Sequence, residues 1–500
     1  MKRRDFLKNA GFAAAALTIS GCNGPATRPA AKEPAQRPNI LFCIADDMSW
    51  PHAGAYGDKV VKTPNFDRVA KDGILFTNTF CAAPSCTPSR SAILTGQEIW
   101  RLEEGGVLRG ALPNKFRVYT DLLAAAGYHV GYVHKGWSPG SWQTGGWDHN
   151  PAGPKKYSAR RVEPSAGGIK KTDYAASFED FLNDRADGQP FCFWYGCKEP
   201  HRSYEKGSGL RSAKRLEDVT VPAFLPDVPE VRSDILDYYV EVEWYDEHLG
   251  RMLKKLEQTG LLENTLVVVT SDNGMPFPRA KTNLYDAGTH MPLAVSWPAT
   301  TKPGRVVHDF ISLTDIAPTF LDAANLPVGA EMTGRSFKNI LLSDKSGFVD
   351  KGRDCVFTAL ERHTCCRPGC VAYPSRAIRT HQWLYIRNFE PDRWPAGDPD
   401  INSDPQGAYG DIDNGPTKTY MIEHKDDPGV RKQFRLGFGK RPAEELYDVR
   451  NDPDQINNLA DDAALAAVRN NLRKRLEQYL QKTADPRAAG KAPWDNYPYG

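Results

Sequence analysis

Three uninterrupted apolar runs constrain the architecture most: Asn39-Ile40-Leu41-Phe42-Cys43-Ile44-Ala45, Phe191-Cys192-Phe193-Trp194-Tyr195 and Leu266-Val267-Val268-Val269-Thr270. Each has strand length and lacks the alternation of a half-solvated strand, as expected where both faces of a sheet are covered. Helix patterns lie between them at 66–70, at 119–126 before Gly127, and from about 234 to 256. Strand alternating with helix predicts an α/β fold with a large, mainly parallel sheet sandwiched by helices. Ligands of such sheets bind beyond the carboxyl ends of the strands. The first run ends in Asp46-Asp47 and the third in Ser271-Asp272-Asn273-Gly274, so two acidic clusters far apart in sequence are predicted on one rim.

After about residue 345 the texture changes. Short strand-like stretches at 354–360, 375–379, 383–386 and 445–448 are separated by loops rich in Pro, Gly and Asp, and an amphipathic helix follows at roughly 462–481. This predicts a smaller C-terminal subdomain built on antiparallel sheet, and divides the chain into 37–345 and 346–500. The first residues read as an address. Arg3-Arg4-Asp5-Phe6-Leu7-Lys8 resembles a twin-arginine export signal. The apolar stretch at 10–17 is too short to span a bilayer. Ile19-Ser20-Gly21-Cys22 resembles a bacterial lipoprotein cleavage box, with Cys22 carrying lipid; cleavage nearby without lipid is the alternative. Residues 23–36, rich in Pro and Ala, read as a disordered tether. The expectation is an exported bacterial protein, periplasmic or on the outer surface. It would use the twin-arginine machinery, which carries folded cargo, and meet the membrane only through Cys22.

A chain of 500 residues, 40% hydrophobic and 25% charged, has room for one large core and a smaller one. A net charge of +2 without a basic run gives no reason to expect nucleic acid. Of the cysteines, Cys43 lies in a buried run and reads as a small hydrophobe. Cys365-Cys366 with Cys370 suggests a disulfide or a metal, and a local disulfide with either Cys355 or Cys370 is open.

The segment with the most chemistry is Cys86-Thr87-Pro88-Ser89-Arg90. Thr87 is a good N-cap and Pro88 suits a first turn, predicting a helix through residues 91–94 to Gly96. Residue 86 would then sit just before a helix N-terminus, where free N–H groups and the dipole favour an anion. A buried cysteine ahead of an ordinary capped helix is the plain alternative. Asp46, Asp47, Asp272 and Asn273 offer only oxygen donors, which suits a hard cation such as calcium. Adjacent carboxylates repel one another, and a cation relieves that. Alone, Asp272-Asn273-Gly274 reads as a turn.

Cys-x-Pro-Ser-Arg matches the signature of type I sulfatases, in which that cysteine is oxidised after translation to formylglycine. With the acidic pairs in this order, the chain resembles a sulfatase of the alkaline phosphatase superfamily over about residues 37–485. Several stretches are similar to the heparan N-sulfatase (sulfamidase) subgroup, although bacterial sulfatases acting on other polysaccharides share them. They are Glu199-Pro200-His201-Arg202, the run 272–278 followed by Thr282-Asn283-Leu284-Tyr285, Tyr373-Pro374-Ser375-Arg376 and Glu445-Leu446-Tyr447-Asp448. The resemblance implies an alkaline phosphatase-like fold and a calcium ion held by Asp46, Asp47, Asp272, Asn273 and the oxygen of modified Cys86. Arg90 would hold the hydrated aldehyde, Lys135 and Lys281 would grip sulfate, and His201 would bind sulfate and assist the leaving group. It also implies a formylglycine-generating maturation enzyme as a partner and a sulfated carbohydrate as substrate.

The aldehyde has a chemical rationale. Its hydrate attacks sulfur through one hydroxyl, and deprotonation of the second expels sulfate, whereas serine or cysteine would stay sulfated. One departure stands out: many sulfatases carry Lys-x-His where this chain has Lys135-Gly136-Trp137. His134 is a candidate substitute, although neighbouring strand residues point to opposite faces. Glu199, placed where sulfamidase-like enzymes hold an acidic residue near the substrate nitrogen, is a candidate for substrate binding, as are His363 in Glu361-Arg362-His363 and Arg376. Trp137, Trp142 and Trp147 suit sugar stacking or core packing equally. The competing readings are a phosphate- or phosphonate-ester hydrolase on the same fold, and an inactive, lipid-tethered glycan-binding protein. A pure binder would have no need of the complete metal set with Lys135, Lys281 and His201.

Overall fold

The computed structural model describes residues 37–401 and 406–499; the readings of the export signal, Cys22 and the tether fall outside them. The larger sheet has eight strands: β1 (Asn39–Ala45), β2 (Ile74–Phe80), β3 (His129–His134), β4 (Phe191–Gly196), β5 (Thr265–Ser271), β6 (His290–Ser296), and the short β7 (Arg305–Val307) and β8 (Ile311–Ser312). Their order is β3-β4-β1-β5-β6-β2-β7, with β8 beside β2. β3, β4, β1 and β5 are parallel, and β6 runs antiparallel to both β5 and β2. The three apolar runs are thus the adjacent strands β4, β1 and β5 of a mainly parallel sheet.

Every residue of those three strands is buried, because both faces are covered. Leu41, Cys43 and Ala45 pack with the helices Tyr174–Asn183 and Pro229–Gln258. Ile40, Phe42 and Ile44 face the opposite core, with the helices Tyr119–Ala125 and Ile316–Ala323. A strand with no solvent face has no exposed position to set aside for polar residues, which is why its sequence does not alternate; its polar side chains are hydrogen-bonded instead, as Thr270 Oγ1 is to Pro292 O at 2.7 Å. The long helix has 30 residues, more than its apolar pattern shows.

The second sheet is antiparallel, in the order β12-β11-β10-β9, with β9 (Cys355–Leu360), β10 (Ser375–Thr380), β11 (Trp383–Asn388) and β12 (Glu444–Asp448). Leu472, Leu476 and Leu480, one stripe of the helix Ala466–Lys482, join Ile378, Tyr385 and Leu446 in a core that also holds Ala82, Ala83 and Ala92. Ala83 precedes and Ala92 lies within the helix Cys86–Thr95, so the second sheet packs directly behind that helix. Ala359 N–H donates to Ala82 O at 2.9 Å across the junction. Cys365 and Cys370 form a disulfide, and Cys355 and Cys366 are free thiols. Among the described residues no helix is long and apolar enough to cross a membrane.

Arg376, a candidate for substrate binding, is instead a structural cation. It is fully buried; its Nη2 donates to Glu361 Oε1 and its Nε to Asp485 Oδ2, each at 2.7 Å. Arg487 also donates to Glu361, so the second sheet and the segment after the last long helix are tied by one buried charge network. Removing one member of a buried ion pair strands the other. Arg376→Met is therefore expected to cost about 3–5 kcal/mol, read as a lower urea midpoint.

Candidate active site

The site is assembled at the carboxyl edge of the larger sheet. β1 and β5 pair with Ala45 against Ser271, so Asp46 and Asp272 leave the two strands side by side. Asp46 N–H donates to Glu199 O and Asp272 N–H to Ala45 O, both at 3.1 Å. Asp47 then adopts a left-handed backbone, φ 75°, and its N–H donates to Asp272 Oδ1 at 3.1 Å. An extended strand would send Asp46 and Asp47 to opposite faces; the left-handed turn brings both carboxylates to one place. Oxygens of Asp46, Asp47 and Asp272, all buried, lie within 4.8 Å of one another. Asn273 Nδ2 donates to Asp47 Oδ1 at 2.7 Å, while Asn273 Oδ1 is buried without a hydrogen-bond partner.

The helix Cys86–Thr95 faces this cluster. Ser85 is its N-cap residue, so the helix starts earlier than predicted and Cys86 is its first helical residue. Thr87 does not cap it; its hydroxyl donates to Pro139 O. Cys86 Sγ lies 3.4 Å from Asp46 Oδ1 and 3.9 Å from Asp47 Oδ1. One turn on, Arg90 Nε donates to Asp272 Oδ2 at 2.7 Å, and Nη1 to the carbonyls of Lys135 and Gly136 at 2.9 and 3.0 Å. Its Nη2 has no hydrogen-bond partner and sits 3.8 Å from Asp46 Oδ1. Lys135 Nζ pairs with Asp46 Oδ2. Lys281 Nζ bridges Asp47 and Asp413 at 2.7 and 2.9 Å. His201 Nδ1 lies 2.7 Å from Arg202 O, an acceptor only, so this nitrogen carries the proton and Nε2 faces the site, 3.9 Å from Asp47 Oδ2.

The electrostatics follow from burial. Burial pushes the pKa values of Asp47 and Asp272 up to about 6, against the pull of Lys281 and Arg90 respectively. Burial acts on Asp46 too, but Lys135, His201, Arg90 and Lys281 together outweigh it and hold its pKa below the usual range. Burial would lower the Lys281 pKa; Asp413 and Asp47 reverse that, so the ammonium stays charged. Burial brings His201 down to about 4. Burial, with Asp46, keeps the Cys86 thiol protonated, which makes the unmodified side chain a poor nucleophile.

A cavity of about 340 Å³ opens onto these groups, lined by Asp46, Cys86, Lys135, His201, Lys281 and His363 among others. His363 Nδ1 lies 2.8 Å from Ser85 Oγ, next to the first helical residue. Lys198, Arg109, Gln406, Asp413 and Tyr499 also line the cavity; sequence reasoning singled out none of them, because loops without periodicity deliver them. Glu199, by contrast, is not brought to the cavity. It is fully buried and accepts hydrogen bonds from Tyr174 Oη (2.7 Å), Cys197 Sγ (2.8 Å) and Lys170 N–H (2.8 Å). His134 turns its ring against Tyr174, at 5.7 Å between centroids, and does not line the cavity. Trp137 is core: its Nε1 donates to Ser91 Oγ at 2.8 Å.

The donor set fits a divalent hard cation. Four carboxylates (Asp46, Asp47, Asp272, Asp413) face three cations (Arg90, Lys135, Lys281), a formal balance of −1 with His201 neutral. Two added charges would make it +1, the sign an anionic ester needs. Asn273 Oδ1, buried and unpartnered among carboxylate oxygens, is the atom such an ion would satisfy.

A cation-ready carboxylate cluster beside a helix N-terminus, on the carboxyl edge of a parallel sheet, defines a hydrolase of anionic esters. The sulfatase family profile matches residues 38–326, more than half of the chain, and the chain belongs to that family; it is a sulfatase. A second profile, described as N-sulphoglucosamine sulphohydrolase, C-terminal, matches residues 279–424. Human N-sulphoglucosamine sulphohydrolase is 29% identical over 490 residues, covering 90% of this chain and 91% of the relative. An ulvan-active sulfatase of Formosa agariphila is 25% identical, covering 90% and 76%. A solved structure described as a complex with its substrate D-glucosamine-2-N,6-O-disulfate shares the fold, with a TM-score of 0.65 and 21% identity over 91% of this chain and all of the other.

The position of Glu199 makes a prediction. Glu199→Ala would leave the Tyr174 hydroxyl and Lys170 N–H without their acceptor, at an expected cost of about 2–4 kcal/mol. KM of the remaining folded enzyme should be unchanged. Urea unfolding and steady-state kinetics on the same preparation check both.

Proposed function

We propose that this sulfatase is calcium-dependent, acts on a sulfated carbohydrate through a formylglycine made from Cys86, and works outside the cytoplasm as an exported, lipid-anchored bacterial protein. The observation that carries the reading is the convergence of Asp46, Asp47, Arg90, Lys135 and Lys281 around Cys86 at the floor of one cavity. The names of the relatives support a sulfated sugar as substrate. A cavity of about 340 Å³, near the lower end for ligand pockets, favours one terminal sugar over a threaded chain.

In this reading Asp46, Asp47, Asp272, Asn273 and the oxygen at residue 86 would hold the cation, which would supply positive charge to offset the carboxylates and to polarise a bound sulfate. A formylglycine supplies a hydrated aldehyde with one hydroxyl to attack sulfur and a second to release it. Arg90, fixed by Asp272 and two carbonyls, holds Nη2 without a hydrogen bond 3.8 Å from Asp46 Oδ1, the oxygen that also lies 3.4 Å from Cys86 Sγ. Lys135 and Lys281 line the cavity as preorganised charge for sulfate oxygens. His201, anchored through Nδ1 to the Arg202 carbonyl, presents Nε2 to the leaving-group oxygen; bound sulfate favours its protonation, and the imidazolium then delivers the proton. Maturation by a formylglycine-generating enzyme would precede export, since the twin-arginine route carries folded protein.

The test is sulfate release from a panel of sulfated mono- and disaccharides. Wild type should release sulfate and Cys86→Ala none, with unchanged melting, and the residue-86 peptide should show the mass loss of thiol-to-aldehyde conversion. Full activity with unmodified cysteine overturns the nucleophile; faster turnover of a phosphonate ester than of any sulfate overturns the substrate class. A further expectation concerns the cation. Chelation should abolish turnover and lower the melting temperature. Calcium should restore both better than zinc, and neither should recover in Asp272→Ala.

A further inference from the structure

Two cations of the cavity, Lys198 and Arg109, have no part in the reaction, and Lys198 is occupied: its Nζ donates to His201 O at 2.7 Å and to Arg202 O at 3.0 Å. Arg109 lines the cavity together with Leu108 and Tyr499, and its side chain is exposed, whereas Cys86, Asp46 and Lys281 are buried. Arg109 therefore stands at the mouth and the reacting groups at the floor. Its guanidinium makes no ion pair and no side-chain hydrogen bond with any described residue; its one recorded side-chain contact is the ring of Tyr499, 5.6 Å from Cζ to the centroid.

Both partners are held in place from behind. Arg109 has a left-handed backbone, φ 56°, a conformation that persists in a non-glycine residue where the surroundings fix it. Those surroundings include the helix Cys86–Thr95, the reaction helix: Arg109 N–H donates to Thr87 Oγ1 at 3.4 Å, one residue after Cys86. Leu108 N–H donates to Arg362 O at 3.2 Å. Arg362, fully buried, donates through Nη1 to Tyr497 O at 2.6 Å and through Nη2 to Pro498 O at 2.8 Å. Trp494, buried in the core behind the reaction helix, anchors the same segment. The Tyr499 ring thus has two guanidinium groups against it, those of Arg109 and Arg362, at 5.6 and 5.7 Å from its centroid. That of Arg362 is occupied by carbonyls. That of Arg109 keeps its N–H edge free, and an arginine stacked on an aromatic face presents that edge to an anion as a planar fork.

We propose that Arg109, with Tyr499 as its platform, forms a second anion subsite that recognises a sulfate or carboxylate other than the one cleaved. The preferred substrate is then a sugar unit with two anionic groups, one at the floor and one at the mouth. This rests on the carbohydrate reading above.

Three substrates separate the sources of the second charge: a monosulfated glucosamine, the same sugar with a further sulfate, and the monosulfated sugar linked to a uronate. Arg109→Asn removes the charge with a residue type that tolerates the left-handed backbone. It should lower kcat/KM for the doubly charged substrate that wild type prefers by roughly 10- to 100-fold, through KM, and leave the monosulfated sugar nearly unaffected. Arg109→Lys should fall between, and Tyr499→Phe should match wild type while Tyr499→Ala loses part of the preference. If Arg109→Asn does not fold, the wild-type salt dependence decides: KM for the doubly charged sugar should rise more steeply with ionic strength than KM for the monosulfated one. Equal losses on all substrates, no loss on any, or parallel salt curves overturn the subsite while the carbohydrate reading stands. A wild type that releases sulfate from none of the sugars overturns that reading and the subsite with it.

Discussion

Charge compensation at the β1–β5 edge is the interaction on which the rest depends. Three buried carboxylates lie within 4.8 Å of one another. At such a separation two like charges repel by roughly 3.5 kcal/mol even at an effective dielectric of 20. No single segment relieves this. Arg90 comes from the helix Cys86–Thr95, Lys135 from the residue after β3, and Lys281 from the loop between β5 and β6. Docking of that helix is therefore coupled to tolerance of the strand ends, and the same docking carries Cys86 to the carboxylates. Catalytic geometry and the neutralisation of the sheet edge are one event.

The backbone is bent where the charges must converge. Asp47 and His134 both have positive φ, 75° and 55°, and both sit at the end of a parallel strand. Strand alternation would place Asp46 and Asp47, or His134 and Lys135, on opposite faces. At Asp47 the turn gathers two carboxylates. At His134 it leaves the imidazole against Tyr174, and the next residue, Lys135, reaches Asp46. Left-handed non-glycine residues are costly and persist where the surroundings over-determine them, and here those surroundings are the ion pairs themselves.

What was legible in the sequence was what a short-range rule could reach. An apolar run with an acidic end marks a strand of a parallel sheet and its functional rim, and that alone places Asp46, Asp47, Asp272 and Asn273 together. The antiparallel β6 was not legible, because a strand buried on both faces has the same composition in either direction. Glu199 and Arg376 were misplaced for a related reason. A charge beside a motif has no visible partner in a linear chain, and their partners, Tyr174, Lys170, Glu361 and Asp485, come from positions no spacing rule connects to them. Asp413 was invisible for the opposite reason: it lies in a loop that resembles any polar loop until Lys281 is placed beside it.

The floor and the wall of the cavity have different origins. The floor is made of strand ends and one helix, where a displaced side chain leaves an uncompensated buried charge. Part of the wall comes from the C-terminal third, with His363, Gln406, Asp413 and Tyr499 carried on segments associated with the second sheet. That sheet packs behind the reaction helix through Ala82, Ala83 and Ala92 rather than through the charged cluster. Apart from Asp413, whose carboxylate is paired with Lys281, residues of the loops attached to it can change without disturbing the pairing of Asp46, Asp47 and Asp272. A family that keeps one chemistry while varying its sugars needs that separation: the penalty for altering the floor is several kcal/mol per stranded charge, and the penalty for altering an exposed wall residue is close to zero. Substrate preference in this chain is therefore expected to reside in residues such as Arg109 and Tyr499, which touch the cavity and contribute nothing to neutralising the sheet edge.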